Sequence, residues 1–183
     1  MKVFLHRFLI TWAISLGCSL VANSAEQNVL EGLSGVWNGE LYYLDYQSGQ
    51  RFGIPMRVEA SVTPDGATLT RNVTYTDPGN LVYVVNVVTI TQEGQLKEAF
   101  FRDSEAQMLN YNIDSLNYKS ESKWTLVYSH EGTDNNRPAK IRHTIQRDGE
   151  DLTSSKEVRF LSGEQSNGFF LRNGTELSLE KER

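Results

Sequence analysis

Alternation of apolar and polar residues constrains the fold of this 183-residue chain more than any other feature of its sequence. Residues 51–62, RFGIPMRVEASV, place every second side chain from Phe52 to Val62 on one apolar face, with mostly charged or small side chains on the other. A period of two is that of a β-strand with one buried face. Pro55 lies within this strand and cannot donate a backbone hydrogen bond, which predicts an edge position or a β-bulge there.

The same pattern recurs along most of the chain, with short turn sequences between the repeats. TPDG at 63–66 and DPGN at 77–80 combine Pro, Asp, Asn and Gly, which are typical of tight turns. A helical pattern is predicted only at 26–33, as a turn or two. After a first strand that opens at Gly35, the predicted strands cover residues 51–62, 67–76, 81–91, 96–102, 108–114, 123–130, 140–147, 152–161 and 168–180, the last with a possible break at the RNG of 172–174.

Nine or ten consecutive strands with short connections predict an all-β fold. Sequential strands usually pair with their neighbours, and a long meander tends to close because closure removes its exposed edges. We therefore expect an antiparallel up-and-down meander β-barrel of 8–10 strands, with a short N-terminal helical turn. A barrel of this size encloses packed side chains or one small ligand. A two-sheet sandwich uses the same number of strands and is the alternative.

The N-terminus predicts a secretory signal peptide covering residues 1–25. Lys2 and Arg7 precede an apolar stretch at 8–22, and small residues follow it, with cleavage expected near 24–25. We expect the protein to be exported, either to a periplasm or to the exterior.

The remaining residues, 26–183, suit a single domain. Without the two basic residues of the signal, 16 Lys and Arg stand against 23 Asp and Glu, which gives a net charge of −7. This charge, together with the lack of any basic run, argues against nucleic acid as a partner. The only cysteine, Cys18, leaves with the signal; however, SLGC resembles a lipoprotein cleavage box, and a lipidated Cys18 would make the membrane a partner.

A glycine two residues before a tryptophan, Gly35 and Trp37, opens the first predicted strand. A short helical turn, Gly-x-Trp and a run of meandering strands resemble the calycin families, the lipocalins and fatty-acid-binding proteins. The resemblance implies a lipocalin-like barrel in which Trp37 covers the closed end beneath the helix. It further implies that an arginine of the last strand packs against the indole, and Arg172 is the matching residue.

The two histidines outside the signal flank one predicted hairpin. If the turn centres near residues 136–137, His130 and His143 face each other across it. Two imidazoles could hold a metal or act as acid and base, but spacing nominates no third ligand. The alternative is a pair of hydrogen-bonded structural histidines, and we predict neither a metal site nor a cofactor.

Catalytic motifs are not found outside the signal. No cysteine nucleophile and no G-x-S-x-G sequence is present, so we predict no catalytic residue. Carboxylates such as Glu59 and Glu98 are assigned to polar strand faces and are expected at the surface.

Aromatic residues exceed what a small core requires, and about half of them should face inward. An apolar cavity with a few hydroxyls and an imidazole is typical of a small-molecule site in a barrel. Whether the interior is hollow or filled stays open. The candidate ligand-binding residues are Met56, Tyr111, Trp124, Tyr128, His130 and His143.

Three functions follow from these expectations. The first is non-enzymatic binding or transport of a small apolar ligand in the barrel interior. The second is a filled barrel in the cell envelope that binds another protein through an apolar surface patch or an unpaired strand near Pro55. The third is a cofactor-independent isomerase or lyase, which requires a buried carboxylate or histidine pair with a perturbed pKa in a cleft.

Overall fold

The computed structural model describes residues 25–45, 48–91, 93–163 and 165–181. The predicted signal peptide, apart from Ala25, and Cys18 lie outside the described residues. Ten strands follow one short helix in the described part of the chain. They are α1 (Ala25–Glu31), β1 (Gly35–Leu44), β2 (Arg51–Val62), β3 (Thr68–Asp77), β4 (Asn80–Ile90), β5 (Gln95–Arg102), β6 (Glu105–Ser120), β7 (Lys123–Asp134), β8 (Arg137–Asp148), β9 (Asp151–Phe160) and β10 (Phe170–Leu179).

The strands form one closed barrel in which each pairs antiparallel with its neighbours in sequence, and β1 pairs with β10. The predicted all-β up-and-down barrel is confirmed, and the sandwich alternative is wrong. The described helices include none that is long and apolar enough to cross a membrane.

The contact between β1 and β10 closes the barrel and depends on glycine. Seven residue pairs join the two strands, from Trp37 opposite Leu179 to Tyr43 opposite Asn173. A Cβ atom on Gly39 would overlap the backbone carbonyl of Glu176. The strands approach this closely because position 39 has no side chain.

Two predicted irregularities have specific positions in the barrel. Pro55 pairs with Glu40 of β1, whereas the ladder between β2 and β3 begins one residue later, at Met56. The missing N–H of Pro55 therefore lies on a stretch of β2 that pairs with β1 and not with β3. In the closed barrel β2 is not an edge strand, and no register shift marks a bulge at Pro55. The predicted break in the last strand is a register shift between Leu171 and Asn173.

The barrel has two different ends. At one end, here called the base, α1 packs across the opening, and Val29, Leu30 and Leu33 are buried against Trp37. The opposite end, here called the mouth, carries the turns that join β1 to β2, β3 to β4, β5 to β6, β7 to β8 and β9 to β10.

Candidate ligand-binding cavity in the barrel interior

Trp37 lies at the base and is fully buried. Its indole N–H donates a hydrogen bond to the carbonyl of Leu33, 2.9 Å away, which satisfies the one polar group of the ring. Gly35 has a φ of 125°, and a Cβ there would approach within 2.7 Å of the Leu179 side chain. The base is therefore sealed by the indole and by the chain that turns from α1 into β1.

The arginine that contacts the indole is Arg147 of β8, with its guanidinium carbon 5.1 Å from the centre of the Trp37 ring. Arg147 also donates a hydrogen bond to the carbonyl of Gly32. The predicted contact with Arg172 is wrong, because β10 runs from mouth to base and residue 172 lies near its mouth end. There the Arg172 guanidinium is 2.9 Å from the carboxylate of Asp134.

Above Trp37 the barrel is hollow, with a cavity of about 540 Å³. Its lining extends from Leu33 and Trp37 at the base to Tyr43, Asp77 and Arg102 at the mouth. Small-molecule sites in proteins commonly have volumes of roughly 300–1,000 Å³. The sequence left open whether the barrel interior is hollow or filled, and the structure has a hollow interior.

The cavity has one polar and one apolar wall. The four charged residues of the lining belong to β3 and β5, the two strands that flank β4; they are Arg71, Asp77, Glu98 and Arg102. The contiguous strands β2, β1, β10 and β9, beginning directly beside β3, supply a largely aliphatic wall. Its main members are Leu41, Ile54, Met56, Val58, Leu152 and Leu177.

An ion pair lies at the middle of the polar wall. The Arg71 guanidinium is 2.7 Å from Glu98, whose side chain is only 13% exposed. The same carboxylate oxygen accepts a hydrogen bond from Asn86 at 2.7 Å, and the other oxygen accepts one from the Tyr111 hydroxyl at 3.3 Å. Glu98 thus neutralises Arg71 and uses both of its oxygens within the protein.

The expectation that Glu98 lies at the surface is wrong. Leu96 and Phe100, two residues to either side, point into the barrel, and alternation carries Glu98 with them. Arg71 follows the same rule between Leu69 and Val73. In both strands, the apolar residues two positions before and after the charged residue were the sequence signal that it faces the interior.

Four rings pack together beside this ion pair. Tyr128 and His143 are stacked with 5.0 Å between ring centres, and Tyr111 meets Tyr128 and His130 edge-on at 5.0 and 4.7 Å. The rings of His130 and His143 are parallel at 6.2 Å.

The two histidines do not face each other directly across the hairpin as expected. The sequence predicted the turn between β7 and β8 near 136–137. This turn centres one residue earlier, on Asn135 and Asn136, both with positive φ. Tyr128 is therefore opposite His143, and the two imidazoles are diagonal neighbours.

Burial keeps this cluster uncharged. Desolvation, aided by the charges of His130, Lys156 and Arg71, lowers the pKa of His143 to about 3. The pKa of His130 is also lowered, first by burial and then by Lys156. Burial raises the pKa of Tyr128, and the neighbouring charge of Glu98 adds to the effect. Near neutral pH, Tyr128 is a neutral hydroxyl and His143 a neutral imidazole.

The candidate ligand-binding residues fall into three positions. Met56, Tyr128 and His143 line the cavity. Tyr111 and His130 pack behind them through the ring contacts just described. Trp124 lies at the base, where its indole N–H donates to the carbonyl of Glu121 at 3.0 Å. Within the described residues, no group of three or more His, Cys, Asp or Glu side chains is placed to hold a metal ion.

A second feature, here called the outer patch, lies on the outer wall of β4, β5 and β6. Val85 and Phe101 are direct cross-strand partners there, and both are exposed. The outer patch consists of Leu81, Tyr83, Val85, Phe101 and Met108, with exposed fractions of 41–71%.

The fold and cavity define a closed ten-stranded antiparallel barrel with one short helix, consistent with a lipocalin-like fold. No family model and no curated protein matches the sequence. Among solved structures, Rv2717c from M. tuberculosis is similar over 87% of this chain and 99% of its own, with a TM-score of 0.60 and 14% identity. A protein of unknown function from the DUF3598 family of Nostoc punctiforme covers 87% of this chain and 100% of its own, at a TM-score of 0.25 and 5% identity. The likeness to Rv2717c shows a shared fold.

Proposed function

We propose that this barrel binds a small, mainly apolar molecule in its interior. The observation that carries the proposal is the cavity of about 540 Å³ between the sealed base and the mouth. Its aliphatic wall would gain about 25 cal/mol for each Å² of apolar ligand surface removed from water. We further propose that the protein acts outside the cytoplasm, because its N-terminus has the pattern of a secretory signal.

The protonation state of the interior side chains favours ligand binding over catalysis. An effective general base has a pKa near the working pH. With a pKa of about 3, His143 is a weak base near neutral pH. Glu98 is already bound to Arg71, Asn86 and Tyr111, which leaves this carboxylate poorly placed to accept a substrate proton.

The test compares tryptophan substitutions on the two sides of the barrel wall. Val73 is 7% exposed and lines the cavity, whereas Val85 lies on the outer wall of the adjacent strand. The neutral fluorophore N-phenyl-1-naphthylamine is the probe. We expect Val73→Trp to weaken probe binding by about tenfold or more, and Val85→Trp to leave it unchanged.

Met56→Trp narrows the same cavity from the neighbouring strand β2 and replaces Val73→Trp in the test if that variant does not fold. Circular dichroism establishes that each variant is folded. Undiminished binding in a folded interior variant would contradict the proposal, as would an absence of probe binding to the wild-type protein.

The outer patch favours a second candidate function, the binding of another protein. Contiguous exposed apolar surface commonly marks an interaction site, and Tyr83 and Phe101 are 62% and 48% exposed. A Tyr83→Ser, Phe101→Ser double variant should lose a crosslinked partner that wild type captures from an envelope extract. Equal capture by both proteins would contradict this function.

A further inference from the structure

The charges in the cavity are arranged so that the middle of the binding site is electrically neutral. Two cations lie beside the ring cluster, and both are paired with carboxylates. Arg71 is 2.7 Å from Glu98, and Lys156, opposite His143 on β9, is 3.3 Å from Asp134. An ionised ligand group in the middle of the cavity would lie beside a pair that has no net charge. It would lose its hydration without gaining a full opposite charge, and taking a charge out of water into a low-dielectric interior is costly. The polar wall is therefore poorly suited to a carboxylate and equally poorly suited to an ammonium group.

Uncharged hydrogen-bonding groups, by contrast, are available beside this pair. Tyr128 and His143 both line the cavity, and neither makes a hydrogen bond to another residue in the described part of the chain. A neutral tyrosine offers an O–H donor and an acceptor oxygen, and a neutral histidine offers one donor and one acceptor. Buried polar groups normally have a partner. A ligand hydroxyl or carbonyl would supply it.

The rest of the lining fits an apolar body attached to such a group. Met56, Val58 and Leu177 belong to the aliphatic wall. At the base, the indole N–H of Trp37 is already used by Leu33 and offers the ligand only apolar surface. A ligand that fills this space is therefore polar at one point on its side and apolar elsewhere.

We infer that the ligand is an uncharged apolar molecule with a hydroxyl or carbonyl group, which hydrogen-bonds to Tyr128 and His143. The inference rests on the proposed binding function and adds the chemical class of the ligand. Fatty acid anions and alkyl amines are disfavoured because Glu98 neutralises Arg71 without leaving a net charge.

A matched series of ligands tests the class directly. At pH 8, 1-dodecanol, dodecanoate and dodecylammonium share one chain and differ in the charge of the head group. We expect 1-dodecanol to displace N-phenyl-1-naphthylamine from wild-type protein at concentrations about tenfold lower than either ion. Equal or tighter binding of dodecanoate or dodecylammonium would overturn the inference but leave interior binding intact. Failure of the probe and all three ligands to bind would instead remove the proposed function itself.

Two variants test the assigned residues. Tyr128→Phe should weaken 1-dodecanol binding by about tenfold without affecting the fold, because the hydroxyl it removes has no partner in the described protein. The control, Tyr83→Phe, removes a tyrosine hydroxyl from the outer wall and should leave 1-dodecanol binding unchanged. Unchanged 1-dodecanol binding in Tyr128→Phe would overturn the role of this hydroxyl.

Glu98→Gln tests whether the Glu98 carboxylate, by neutralising Arg71, is what disfavours an anionic ligand. It leaves Arg71 without its carboxylate, so dodecanoate binding should strengthen by about tenfold relative to wild type. Unimproved dodecanoate binding in the folded variant would contradict the role assigned to Glu98. If Glu98→Gln does not fold, the inference is tested by the three dodecyl ligands on wild-type protein and by the comparison of Tyr128→Phe with Tyr83→Phe.

Discussion

The ring of Tyr128 lies parallel to the ring of His143, with 5.0 Å between their centres and 11° between their planes. The two residues are direct partners across β7 and β8, and both line the barrel cavity. This stack places an uncharged hydroxyl and an uncharged imidazole beside a neutralised ion pair.

Acidification should destabilise the protein through His143. Its pKa is about 3 in the folded state and about 6.5 when unfolded. The unfolded state therefore binds more protons between these values, and stability falls as the pH drops from about 6.5 towards 3. The slope is at most about 1.4 kcal/mol per pH unit. Urea unfolding of wild type and His143→Gln between pH 7 and pH 4.5 should show a shallower decline in the variant; parallel curves would contradict a neutral His143.

The interior ion pair should show strong energetic coupling. Arg71→Met leaves the Glu98 carboxylate without its guanidinium, and we expect a loss of about 2–3 kcal/mol in the free energy of unfolding, less than for a fully buried pair. The Arg71→Met, Glu98→Met double variant should lose less than the sum of the two single variants. Additive losses in this double-mutant cycle would mean that the two side chains act independently.

The sealed base should contribute much of the stability. Trp37 is fully buried, donates to Leu33 and lies against Arg147. Trp37→Ala should lower the free energy of unfolding by about 3–5 kcal/mol. Tyr83→Ala, on the outer wall, is the control and should change it by no more than about 0.5 kcal/mol. Similar values for the two variants would contradict the role given to the base.

Closure of the barrel should be sensitive to one atom at position 39. A Cβ there overlaps the Glu176 carbonyl, so Gly39→Ala should separate β1 from β10 and cost about 2 kcal/mol or more. Gly94 has a φ of 73° and open space around it, so Gly94→Ala should cost only about 1 kcal/mol of backbone strain. Amide exchange along β1 and β10 should quicken only in Gly39→Ala.

The barrel itself was predictable because alternation and turn residues are local signals. Met56 and Val58, for example, share a face in any strand that contains both. The number of strands and their closure followed from short connections, since sequential strands pair. The position of the helical turn was also close to that of α1.

The site was less predictable because it depends on register and on distant strands. Assigning the turn to 136–137 rather than to Asn135 and Asn136 shifted the pairing and set His130, rather than Tyr128, opposite His143. The contact between Trp37 and Arg147 joins β1 to β8, which no local pattern specifies. Glu98 was misplaced because its charge was given more weight than its apolar neighbours at i−2 and i+2.

A crystal structure of the protein grown with 1-dodecanol tests the central claim most directly. We predict electron density for one ligand inside the barrel, with its hydroxyl within hydrogen-bonding distance of the Tyr128 hydroxyl or the His143 imidazole and its chain along Met56. Ligand density on the outer patch with an unoccupied interior would contradict the account.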